Sequence, residues 1–74
     1  MTIGEAIRKA REDRGYTRQQ LSDMSGISYF TILCWEIGRS FPNVLLLICV
    51  ADALNISLDE LVGRNFKANE EELH

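Results

Sequence analysis

Apolar residues return every three or four positions through most of this chain, and capping residues separate the runs. Ile3, Ile7 and Ala10 share one face of a helix that Thr2-Ile3-Gly4-Glu5 opens as a capping box and Gly15 ends. A second capping box, Thr17-Arg18-Gln19-Gln20, opens a short helix that stops at Gly26. Ser28 caps a third helix running to about Ile37, before Gly38. Arg39 to Asn43, with Pro42, reads as a turn, and Asn43 caps a fourth helix over 44–54 that Asn55 can end in the left-handed conformation. Ser57-Leu58-Asp59-Glu60, a third capping box, opens a fifth helix that stops before Gly63. No alternating run or internal repeat competes, so the predicted class is all-α with five helices.

The third and fourth helices break the ordinary inside-outside pattern. With Ile32 at the centre of the buried face, Trp35 and Glu36 flank it, and the opposite face carries Phe30, Leu33, Cys34 and Ile37. On the fourth helix Val44, Leu47, Val50, Ala51 and Leu54 are expected to face inward, which puts Leu45 and Cys49 outside. A helix that is apolar all round is normally buried on all sides. Phe30, Leu33, Cys34, Ile37, Phe41, Leu45 and Cys49 are therefore expected to form one exposed apolar interaction patch, if the two outer faces adjoin.

At 74 residues the chain makes one small domain over 1–64, with 65–74 expected to be a flexible acidic tail. A single core of that size supplies only about 3 to 5 kcal/mol, which makes oligomerisation a natural supplement. The densest apolar run, 44–50, reads as a core helix and not as a membrane span. No basic segment with an apolar stretch opens the chain, so a reducing cytoplasm is expected, where Cys34 and Cys49 form no disulfide framework. The only histidine is His74, which leaves no metal-ligand set and no nucleophile-base pair; neither an enzyme, a cofactor nor a small-molecule ligand is expected.

The net charge of -3 weighs against a polyanionic partner, since phosphate contact supplies most nucleic-acid affinity. Its distribution offsets this. Arg8, Lys9, Arg11, Arg14 and Arg18 crowd the first eighteen positions, and without Glu70, Glu71 and Glu72 acids and bases are equal in number. Arg8, Lys9 and Arg14 fit a solvated surface or outer phosphate contacts equally well.

The second and third helices are joined by Ser25-Gly26-Ile27-Ser28, a connection of helix-turn-helix length and glycine content. Ser22 and Gly26, four apart, supply the small residue where the helices touch and the glycine where the chain reverses; Leu21, Ile27, Ile32 and Trp35 supply the apolar contacts. Over residues 3–63 the chain resembles the Cro and phage-repressor family of helix-turn-helix regulators, often called XRE-like, with the lambda-repressor-like five-helix fold. The resemblance is carried by Ile7-Arg8-Lys9-Ala10-Arg11 with Gly15, by Thr17 to Leu21, by Gly26-Ile27-Ser28, by Trp35 to Pro42 and by Ala51 to Leu61. It sets the helix-turn-helix at 17–37.

The resemblance implies roles for particular residues. Arg11 and Glu36 would form a structural ion pair. Thr17 and Arg18, with the backbone amides opening the second helix, would face a phosphate, and Arg39, Ser40 and Asn43 would contact phosphates on the other side. Ser28, Tyr29, Phe30, Leu33 and Cys34 would face base edges in the major groove of double-stranded DNA. The implied function is a sequence-specific transcriptional regulator binding a palindromic operator as a homodimer. Phe30, Leu33, Cys34 and Ile37 depart from the family's polar pattern: none can make a bidentate bond to a purine edge, although each can pack on thymine methyl groups. A protein-interaction or homodimerisation module, using the apolar faces of the third and fourth helices, is the alternative. Introduction of apolar residues into a polar parent by engineering or selection is a third reading.

Overall fold

Each helix begins at the polar residue that the sequence marks as its cap. In the computed structural model, which describes residues 2–62, α1 spans Ile3–Asp13, α2 Arg18–Ser25, α3 Tyr29–Glu36 and α4 Val44–Ala53. A further helical stretch, α5, covers 58–62, and no strand occurs among the described residues. The tail expected over 65–74 lies outside the described residues.

The caps are formed in detail. At α1 the Glu5 amide donates to Thr2 Oγ1 at 3.1 Å and the Thr2 amide returns a bond to Glu5 Oε1 at 3.3 Å. The Thr2 amide and, after it, the Thr2 hydroxyl hold the Glu5 carboxyl below its ordinary pKa. At α2 the same exchange joins Thr17 and Gln20, at 3.1 and 2.8 Å. Ser28 and Asn43 accept from the Thr31 and Leu46 amides at 3.1 and 2.9 Å. At α5 Ser57 accepts from the Glu60 amide at 3.0 Å, half of the box expected there. Each such cap is worth about 1 kcal/mol.

The core draws on every helix. Ile7, Leu21, Ile32, Val50 and Leu54 are fully buried, and Ile27, Trp35, Ala51, Leu61 and Val62 complete the cluster. α1 and α2 both pack on α3, and α2 also carries α4. The α2–α3 turn closes on the two small residues that the sequence offers: Gly26 has φ 76°, and Ser22 Oγ donates to the Ile27 carbonyl at 2.6 Å. At the far end, Asn55 takes φ 56° and its carbonyl accepts from Arg14 Nη2 at 3.0 Å, tying the end of α1 to the end of α4.

The closest helix contact is at Gly4. A Cβ there would overlap the Trp35 carbonyl oxygen, so α1 lies backbone to backbone on the end of α3. Sequence reasoning used Gly4 only as a member of a capping box.

On α4 the inward set needs one correction. Leu47 is half-buried and Val50, Ala51 and Leu54 are buried, but Val44 is 63% exposed. Val44 shares the phase of Leu47, yet it is the first residue of the helix and stands past the edge of the core. Ile48, unassigned by the sequence pattern, is also exposed.

Candidate nucleic-acid interface

A buried carboxylate organises this end of the molecule. The Glu36 side chain, 1% exposed at the last turn of α3, accepts from Arg11 Nε at 2.9 Å on Oε2 and from Arg11 Nη2 at 3.1 Å on Oε1. Arg11 Nη1 donates to the Tyr16 carbonyl at 2.7 Å, so that guanidinium is committed to the protein. Arg18 Nε also donates to Glu36 Oε1, at 2.9 Å. Two cations thus share one buried anion, and the excess positive charge falls on Arg18, whose side chain is 29% exposed. Its hydrogen bond to Glu36, followed by the Tyr29 hydroxyl, raises the Arg18 pKa above its already high ordinary value.

The family resemblance paired Arg11 with Glu36 and set Arg18 to face a phosphate. The second tie of Glu36 was missed because it joins residues far apart in sequence and on different helices; the only signal was one acid against two arginines on the same side of the fold.

The residues named as phosphate contacts lie in two groups. Thr17 and Arg18 open α2, where the Thr17 hydroxyl is occupied as a cap; no bond among the described residues engages the Arg18 and Gln19 amides, the two left over at a helix start. Arg39 and Ser40 follow α3. Their amides donate back to the Cys34 carbonyl at 2.9 and 3.4 Å, which folds the turn over the end of α3 and leaves both side chains exposed. Asn43 is exposed too, with its side chain engaged as the α4 cap.

The residues named as base contacts line the start and outer side of α3. Ser28, Tyr29 and Phe30 are exposed, Phe30 at 66%. Ser28 Oγ shares a further hydrogen bond with Thr31 Oγ1 at 2.8 Å. Leu33 and Cys34 are half-buried, less exposed than their phase on the helix implied, because the returning turn covers the α3 C-terminal end. Ile37, Phe41, Leu45 and Cys49 are exposed.

Charge elsewhere is largely spoken for. Arg8 pairs with Glu12 and Lys9 with Asp13, both at 3.3 Å on the solvated face of α1, where such pairs contribute little. Arg14 is bound to the Asn55 carbonyl. Among the described residues Arg39 makes no ion pair. Among the described residues, cationic surface free to meet an external anion is therefore concentrated at Arg39 and the outer edge of Arg18, on either side of α3 in sequence. Among the described residues no helix is long and apolar enough to cross a membrane, and no group of side chains could hold a metal ion.

The family described as helix-turn-helix matches residues 7–61, which run from the fully buried Ile7 of α1 to Leu61 of α5. The chain belongs to this helix-turn-helix family. It is 39% identical over 64 residues to the cryptic phage CTXphi transcriptional repressor RstR of Vibrio cholerae, a match covering 86% of this chain and 57% of that protein. It is 32% identical over 72 residues to the immunity repressor protein of Bacillus phage phi105, covering 97% of this chain and 50% of the relative. This helix-turn-helix chain thus spans about half the length of these curated relatives. Among solved structures it is similar to the P22 c2 repressor crystallised with synthetic operator 9T in the presence of Tl+. That likeness has a TM-score of 0.72 and 33% identity, and covers 82% of this chain and 92% of that one.

Proposed function

We propose that this chain is the DNA-binding part of a sequence-specific transcriptional regulator of the Cro and phage-repressor type. It works in the cytoplasm as a homodimer on a two-fold operator, with α3 of each copy in the major groove. The observation that carries the reading is the likeness to the P22 c2 repressor in its operator complex, which extends over nearly all of that chain at 33% identity. The location of cationic groups supports it: among the described residues Arg39 makes no ion pair, and Arg18 keeps an exposed edge beside its bond to Glu36.

In this proposal Arg18, Arg39, Ser40 and the first-turn amides of α2 grip phosphates, with Thr17 and Asn43 beside them as caps that orient those turns. Ser28 and Tyr29 supply hydroxyls to base edges. Phe30, exposed ahead of the half-buried Leu33 and Cys34, packs on thymine C5-methyl groups. A reader built this way prefers thymine-rich half-sites and tolerates substitutions that leave the methyl groups in place. Selection from a pool of random duplexes is expected to return two related half-sites about one helical turn apart. Replacing their thymines by uracil, which lacks only the methyl, is expected to weaken binding by about tenfold or more. Equal binding to the uracil duplex would remove the apolar part of the reading, and failure to enrich any sequence would remove base recognition itself.

A protein-interaction module with weak or no DNA binding is a second reading, favoured by exposed Phe30 and Ile37 and by the net charge of -3. Absence of binding to any duplex at low ionic strength would select it.

A further inference from the structure

We infer that the outer face of α4, together with Phe41, is the surface on which a second copy of this chain docks. The inference gives the proposed homodimer its interface, and to that extent rests on that reading. At 100° per residue Val44, Ile48, Leu45 and Cys49 fall within a single arc of about 140°, and Leu47, Val50, Ala51 and Leu54 fall in a separate arc of about 100° whose Ala51 edge borders Val44. Burial follows the same division. Val44, Leu45 and Ile48 are 63, 73 and 38% exposed and Cys49 is exposed, while the other arc faces the core. Phe41, 72% exposed, precedes the same helix end. α4 therefore has two apolar faces, and the fold uses one.

Charge and area together select the occupant. From Ser40 to Ala51 there is no charged residue, although the chain as a whole carries -3; the exposed Asp52, one turn beyond Ile48 in the same arc, bounds the stripe at the C-terminal end of α4. In a two-fold interface each patch must complement itself, so a charged patch meets its own sign unless it is internally balanced, whereas an uncharged apolar stripe meets its own kind at no electrostatic cost. The exposed fractions of these five residues amount to on the order of 500 Å², taking about 150–250 Å² for a large side chain. A stable interface buries about 800 Å² per partner, somewhat more than half of it apolar, so the stripe matches the apolar centre of one such interface and the surrounding polar residues supply the rim.

Sedimentation velocity without DNA, over a concentration series from low to high micromolar, tests the assignment. The parent chain is expected to show a reversible monomer–dimer equilibrium. Leu45→Glu and Ile48→Glu are each expected to raise the dissociation constant by roughly tenfold or more, since every dimer then buries the new carboxylate twice. Met24→Glu, at an exposed site on α2, is expected to leave association unchanged. Far-ultraviolet circular dichroism checks that Leu45→Glu stays folded, as its 73% exposure implies. A monomer at every concentration, a dimer indifferent to both α4 substitutions, or association that does not stop at two would overturn the assignment. A monomer that still binds duplex DNA would refute this face alone; a dimer sensitive to Leu45→Glu that binds no duplex would refute the DNA reading and keep the face.

Discussion

α1 and α4 are of similar length, begin at formed caps and bury one face in the same core, but they differ completely on the outside. α1 turns Glu5, Arg8, Lys9, Glu12 and Asp13 to solvent; α4 turns out Val44, Leu45, Ile48 and Cys49, with a single charge, Asp52, near its C-terminal end. The difference separates what makes the fold from what uses it. Caps, left-handed ends and the inner arcs serve both helices alike, so neither outer face is needed to specify the structure. The charged outside of α1 is neutralised in place by neighbours one turn away, and it asks for no partner. The apolar outside of α4, like Phe30 and Ile37 on α3, stays in water until something covers it.

The largest expected effect breaks the comparison from the inside. Glu36→Ala strands Arg11 in the interior and is expected to cost about 3 to 5 kcal/mol, as much as a core of this size supplies. Circular dichroism at 25 °C should then find the variant largely unfolded, with Glu36→Gln less damaged because it keeps an acceptor for Arg11. Next comes Gly4→Ala, expected to cost about 1 to 3 kcal/mol as the new Cβ forces α1 off the Trp35 carbonyl. Arg8→Ala on the outer face of the same helix should stay within about 0.5 kcal/mol of the parent. Urea midpoints measure the pair, and equal midpoints would deny that α1 is held by its inner face. The smallest effect is at the α1 cap. The Glu5 carboxyl is lowered by Thr2, so the unfolded chain holds that proton more tightly than the folded one. Its contribution is present above the ordinary carboxylate range and is lost as pH falls through the lowered value. Thr2→Ala should therefore be destabilising near neutral pH and make less difference at acid pH.

Much of this was legible along the chain because it is local. Thr2, Thr17, Ser28 and Asn43 cap helices by reaching three residues ahead, and Gly26 and Asn55 end them by adopting a backbone that few other residues tolerate. The inner arcs followed from helical period. What escaped is non-local. Gly4 sits in a helix start like any small residue, and only the approach of α3 gives its missing side chain a purpose. Arg18 lies where an exposed cation would lie, and only the folded chain brings it to Glu36. Val44 has the phase of a buried residue but is the first of its helix, where the core has already ended. Period describes a helix as if it were endless; the edge of the core is a property of the whole fold.

The proposed DNA contact rests, among the described residues, on Arg18 and Arg39 as the cations that meet an external polyanion. Titrating salt against affinity for a random duplex, with the parent chain and Arg39→Ala, reads this directly. Log affinity is expected to fall linearly with log salt at a slope of about -0.9 per phosphate contact, and Arg39→Ala should lower that slope by about one per copy and weaken all sequences alike. An affinity that ignores salt, or a slope unchanged by Arg39→Ala, would contradict it.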